Sequence, residues 1–227
     1  MRRFTAPLFG LLVLAIAVTA QAAPTWTEGK HYVPVAPAQH TNVPAGKVEV
    51  MEVFSYGCPA CAQFSPIAQR LKKSLPANAQ MVYLPASFNP SEDWPMFQRA
   101  YFAAQALGVA ERTHDGMFDA VWKDGELAIS DPTTHRLKKP LPSIEDAARY
   151  YARVAGVKPE TFVAAANSFA VDVKMKSADD YVRAARVDST PTIIVNGKYR
   201  VKAESLASYD ELIELVKFLV AKESKPS

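Results

Sequence analysis

Thiols are scarce in this chain. Its 227 residues include only two cysteines, Cys58 and Cys61, so no disulfide framework can staple distant parts of the fold. Histidine is nearly as sparse. None of His31, His40, His114 and His135 pairs with another at the H-x3–5-H spacing of a zinc module. Charge of one sign is also lacking. Lys and Arg total 26 against 23 Asp and Glu, for a formal charge of +3 to which Arg2 and Arg3 contribute two. With no basic run and no Lys/Arg-rich helix, nucleic acid is excluded as a partner. No apolar run, that at residues 8–18 included, is long enough to span a bilayer, and there are no repeats and no low-complexity tract.

The N-terminus reads as an address. Met1-Arg-Arg is followed by LFGLLVLAIAV at 8–18 and by Ala20-Gln-Ala22. These are the basic start, apolar stretch and small-x-small site of a secretory signal peptide. The run is shorter than a membrane span, so residues 1–22 are expected to be removed after Ala22 and the mature protein to be exported and soluble. Disulfides form and persist in such a compartment.

After a Pro- and Thr-rich lead-in over 24–46, with at most one short edge strand, KVEVMEVFSY at 47–56 reads as a strand. Residues 60–75 follow as an amphipathic helix, with Pro59 at its first position and Pro66 expected to kink it. QMVYLP at 80–85 closes a right-handed βαβ unit. The period then becomes helical, with helices expected over 93–107, 111–123, from 144 after the N-cap Ser143, over 161–168 and over 171–186. Asp146 holds the capping-box position at which Glu or Gln is usual. TIIV at 192–195, Asn196-Gly197 and 199–202 read as a hairpin, and 208–220 as a closing helix. The expectation is an α/β fold, βαβ…ββα with a mixed sheet, interrupted by a helical insertion. It divides into residues 23–88, an insert over 89–187, and 188–227.

The two cysteines stand in Tyr56-Gly-Cys-Pro-Ala-Cys61. A staple closing so short a loop stabilises little. A metal site would need further ligands, for which only distant histidines remain. The redox reading has a mechanism. Cys58 lies where a strand gives way to a helix, and the free N–H groups and partial positive charge of a helix start favour thiolate over thiol. Cys61, one turn later on the same face, can attack a mixed disulfide formed at Cys58. Glu52 interrupts an apolar strand and shares a face with Val48 and Val50, which makes it a candidate buried carboxyl group. Glu49 reads as an exposed strand residue. Trp94, Tyr101, Phe102 and Trp122 read as core of the insert.

The segment Glu52-Val-Phe-Ser-Tyr-Gly-Cys-Pro-Ala-Cys61 resembles the active-site segment of the DsbA family of bacterial periplasmic thiol–disulfide oxidoreductases. So do Asn167-Ser-Phe169, Thr190-Pro-Thr-Ile-Ile-Val-Asn-Gly-Lys-Tyr199 and Thr27-Glu-Gly-Lys-His-Tyr32. The resemblance implies a thioredoxin-like fold and a protein disulfide oxidase that donates a Cys58–Cys61 disulfide to newly exported, unfolded cysteine-containing proteins. It implies a cis Pro191 facing the cysteines, Thr190 as a backbone binding point for substrate, and Glu52 as the acid beneath the disulfide. It further implies a periplasmic location, a monomer with no cofactor or metal, and reoxidation by a quinone-linked membrane partner of the DsbB type. Pro59 and Ala60 occupy the tuning positions between the cysteines. Strongly oxidising members carry His where this chain has Ala60, so a less extreme oxidant is expected.

Overall fold

The computed structural model describes residues 25–224. The expected signal peptide and its cleavage site lie outside them. Five strands form one mixed sheet in the order β1-β5-β4-β2-β3. They are β1 (Tyr32–Pro34), β2 (Val48–Phe54), β3 (Ala79–Pro85), β4 (Thr192–Val195) and β5 (Tyr199–Val201). Helix α1 (Pro59–Ser74) makes β2 and β3 parallel neighbours, whereas β4 runs antiparallel to β2 and β5. Helices α2 (Trp94–Ala106), α3 (Ala110–Trp122), α4 (Ile144–Ala155), α5 (Pro159–Ala166) and α6 (Phe169–Ala184) lie between β3 and β4 in sequence, and α7 (Tyr209–Glu223) closes the chain. This is the thioredoxin-like pattern with a helical insertion. The lead-in supplies β1, which pairs with the edge of β5.

Local chemistry accounts for most boundaries. Pro59 opens α1, which runs through Pro66 as one helix. Ser143 and Asp146 complete a reciprocal capping box, because the shorter Asp carboxylate still accepts from the Ser143 N–H at 2.7 Å. Asn196 and Gly197 both have positive φ, as a tight hairpin turn requires. At Gly197 a Cβ would lie 2.2 Å from the Gln39 carbonyl oxygen, so the lead-in can cross there only over glycine.

One expectation fails at β2. Glu49 is fully buried rather than exposed, and its Oε2 accepts from the Asn42 N–H at 2.7 Å. Every residue of β2 is buried, because this central strand has packing on both faces. Val48 and Val50 meet Leu215, Val216 and Leu219 of α7, while Met51 and Val53 meet Tyr181 and Val182 of α6. Alternation along such a strand does not separate core from solvent. The insert aromatics Trp94, Tyr101, Phe102 and Phe118 form a continuous core with Phe54, Tyr56 and the two cysteines, and Trp122 packs against it. That core joins the helical layer to the end of β2, where the site lies.

Candidate active site

Strand β2 ends at Phe54, and the turn to α1 is fixed by Ser55. Its carbonyl accepts from the Cys58 N–H at 3.1 Å and its Oγ accepts from the Gly57 N–H at 3.1 Å. Gly57 is needed for room, since a Cβ there would come within 2.7 Å of the Trp94 indole. Cys58 is the N-cap of α1, and its Sγ accepts from the Cys61 N–H at 3.4 Å. The Thr190–Pro191 peptide bond is cis, as expected, and the Thr190 carbonyl oxygen lies 3.5 Å from the Cys58 Sγ. The structure thus brings Cys58, Cys61, Thr190 and Pro191 together. Pro59 and Ala60 are exposed at the helix start.

The two thiols are unequal. Cys58 keeps 5% of its surface exposed and Cys61 none, so the first cysteine is the reachable one, through a narrow opening. The Cys58 thiol is lowered to a pKa of about 6. The largest cause is its hydrogen bond with the Cys61 side chain. The Thr190 side chain and the backbone N–H groups of Cys61 and Ala60 add to it, against the cost of burial. The Cys61 thiol is pushed strongly upward by burial, by its hydrogen bond with Cys58 and by the Cys58 charge. One sulfur is held ready as thiolate while its neighbour is held as thiol.

Beneath them Glu52 is 1% exposed and pairs in register with Ile193 of β4 and Tyr83 of β3. Neither carboxyl oxygen has a protein hydrogen-bond partner. Burial raises its pKa to about 8, with Asp115 and Cys58 adding to the rise. At neutral pH this carboxyl group therefore holds a proton.

Several contributors carried no sequence signal. Ser55 shapes the turn. His114 of α3 bonds the Tyr56 hydroxyl through Nδ1 at 2.9 Å, and burial lowers it to about 3, so it is a neutral core imidazole. Trp122 donates from Nε1 to the Tyr56 carbonyl at 2.8 Å, anchoring the insert to the segment before Cys58. Phe88, 39% exposed, lies against Trp94 and extends an apolar ledge from Gly57 towards solvent. Among the described residues no cluster of three or more His, Cys, Asp or Glu is disposed to hold a metal ion.

Known proteins share this fold. A family model described as thioredoxin matches residues 42–215. The chain is 33% identical over 218 residues to the thiol:disulfide interchange protein DsbA of Pseudomonas aeruginosa, covering 96% of this chain and 92% of that protein. It is 32% identical over 224 residues to the DsbA of Pectobacterium carotovorum, covering 94% and 97% respectively. The crystal structure of the oxidoreductase DsbA from Xylella fastidiosa superposes with a TM-score of 0.75 at 32% identity, covering 88% of this chain and 97% of that one. For Pseudomonas aeruginosa DsbA the TM-score is 0.72 at 33% identity, with 87% and 94% covered.

Proposed function

The chain belongs to the DsbA family of thiol:disulfide interchange proteins, and from that premise we propose that it donates a Cys58–Cys61 disulfide to exported proteins in the periplasm. It is a thiol:disulfide oxidoreductase acting on cysteine-containing proteins. The observation that carries the direction of transfer is the inequality of its thiols. A Cys58 held as thiolate at a pKa of about 6 stabilises the reduced form, and a couple whose reduced form is stabilised is an oxidant.

The steps follow from the geometry. A substrate thiolate attacks the Cys58 Sγ. The Cys58–Cys61 bond breaks, and the electron pair goes to the Cys61 sulfur. Buried Cys61 is costly as a thiolate, so it takes the proton held by Glu52. The substrate is now joined to Cys58. A second substrate thiolate attacks the substrate sulfur of that mixed disulfide and releases Cys58 as its stabilised thiolate. The substrate has lost two electrons and the protein has gained them. Thr190 and Pro191 border Cys58 and form the backbone edge on which an extended substrate segment lies. The Phe88–Trp94 ledge gives unfolded chains an apolar contact. A quinone-linked membrane partner of the DsbB type restores the disulfide, and the protein acts as a monomer. Residues 23–88 and 188–227 constitute one thioredoxin-like domain into which 89–187 are inserted, a division supported by the pairing of β2 with β4 across the insert.

The test uses the oxidised protein as sole oxidant. Mixed with a reduced, unfolded two-cysteine substrate, it should form one substrate disulfide per molecule and end fully reduced. A protein that remains oxidised while the substrate stays reduced would overturn the reading.

Ala60 sets how strong the oxidant is. Ala60→His places an exposed imidazole at the start of α1, beside the thiolate. We expect the Cys58 pKa to fall by about one unit and the reduction potential to rise by about 30 mV, the equivalence for a two-electron couple. Thiolate absorbance and glutathione equilibration read the two quantities. An unchanged potential would show that the residue between Pro59 and Cys61 does not tune this couple.

A further inference from the structure

Glu52 gives its proton to Cys61, yet nothing in the steps above replaces that proton from solvent, and Glu52 is sealed from it. Its neighbours offer one way in. Tyr83 stands directly opposite on β3, so the two side chains leave the sheet on the same face. The Tyr83 hydroxyl is also buried and also without a hydrogen-bond partner in the protein. Three orphan oxygens, two on Glu52 and one on Tyr83, therefore lie on neighbouring strands at paired positions. Buried polar atoms left unpaired by protein are completed by ordered water where there is room.

The room is beside them. β3 is the free edge of the sheet, and a groove of about 1050 Å³ runs along it, lined by Tyr83 and Tyr101 and rimmed by Lys72 and Glu111. The Lys72–Glu111 ion pair joins α1 to α3 at that rim. The charged and titratable groups around the pair are few. Glu52 faces Tyr83, Asp115 of α3 and Cys58, while its β4 neighbour Ile193 is apolar. Tyr83 faces Glu52, Asp115, Tyr101 of α2 and Glu111 of α3, and its ring lies 4.1 Å from that of His114. Asp115 is held by Ser65 Oγ at 3.2 Å and Gln69 Nε2 at 3.1 Å from α1.

We propose that the Tyr83 hydroxyl is the relay through which Glu52 exchanges its proton with water in the groove along the edge of β3. Each passage balances. The hydroxyl accepts a proton from the groove side as it gives its own towards Glu52, and the reverse holds when the dithiol is reoxidised. Tyr83 acts through Glu52 and touches no reacting sulfur. The inference rests on the reading of Glu52 as the proton donor, and the experiment separates the two.

Protonated Glu52 has a carboxyl stretch in the infrared, assignable by its loss in Glu52→Gln, that shifts when deuterium replaces hydrogen. On rapid mixing of the reduced protein into D2O near pH 6.5, Tyr83→Phe should exchange this proton about a hundredfold more slowly, the lower end of what a positioned proton-transfer group contributes. Added imidazole should restore part of the rate. The ring, its tilted packing against His114 and the groove lining all persist in this variant. A merely loosened site would exchange faster, not slower. Exchange at the wild-type rate in Tyr83→Phe would overturn the relay and leave Glu52 standing. Absence of the carboxyl band from the wild-type protein would overturn both.

Discussion

Cys58→Ser should reduce disulfide transfer to the uncatalysed background, whereas Cys61→Ser and Cys61→Ala should leave a protein that still attacks but does not let go. The asymmetry follows from the site. Of the two cysteines only Cys58 keeps any exposed surface and a lowered pKa, so without it no nucleophile reaches a partner. With Cys61 replaced, Cys58 attacks a disulfide such as oxidised glutathione, breaks its S–S bond, releases one glutathione thiolate and keeps the other half as a one-to-one mixed disulfide. No second thiol of the protein resolves it, so intact mass should show it persisting; its spontaneous loss would show that Cys61 is not the resolving thiol. The two Cys61 variants separate the causes of the low Cys58 pKa. Serine retains a side-chain donor in place of the thiol. Alanine retains only the backbone N–H. The hydrogen bond from the Cys61 side chain is the largest contribution, so Cys61→Ala should raise the Cys58 pKa by about one unit or more and Cys61→Ser by less. Equal values for the two variants would assign the shift to the backbone.

Glu52→Gln should make the folded protein more stable while slowing its chemistry. The native carboxyl group titrates at about 8, against 4.5 for an ordinary Glu. The folded state therefore binds more protons than the unfolded state between these values, and stability falls as pH rises across that window. Below pH 4.5 both states are protonated and the substitution changes little. Above pH 8 the folded state carries the whole burden of a buried carboxylate, and the gain from glutamine is on the order of 4 kcal/mol. Denaturant unfolding of the reduced protein at several pH values measures it. A wild-type curve parallel to that of Glu52→Gln from pH 4 to 9 would refute the raised pKa. Part of the rise comes from the Cys58 charge, so the difference should be smaller in the disulfide form. A buried acid that costs stability yet serves the reaction is a familiar trade between folding and function.

The reactive centre was legible in the sequence because its signals are local. A pair of cysteines at the start of a helix, a proline between them and a Thr-Pro before a strand and an Asn-Gly turn each bring their own backbone chemistry. Ser143 and Ser208 cap their helices for the same reason. What lay hidden depends on packing between distant segments. Glu49 looks like a solvent-facing strand residue until the lead-in crosses β2 and its Asn42 N–H meets the carboxylate. Tyr83, Asp115 and His114 look ordinary in their own helix or strand. They meet at Glu52 and Tyr56 only because α3 lies across the end of β2. Glu52 falls between the two cases, since its apolar setting is visible in sequence but its neighbours are not.

Cys58 and Thr190, whose side chain helps hold the Cys58 sulfur as thiolate, lie 132 residues apart in the chain. In an unfolded chain Cys58 is an ordinary thiol with a pKa near 8.5. It does not gain its full set of stabilising partners until β4 has docked beside β2, after the whole insert has been made. Contacts so remote in sequence are among the slower ones to form. The low pKa of this sulfur is therefore a property of the assembled fold, acquired together with the burial of Cys61 and the narrowing of the approach to Cys58.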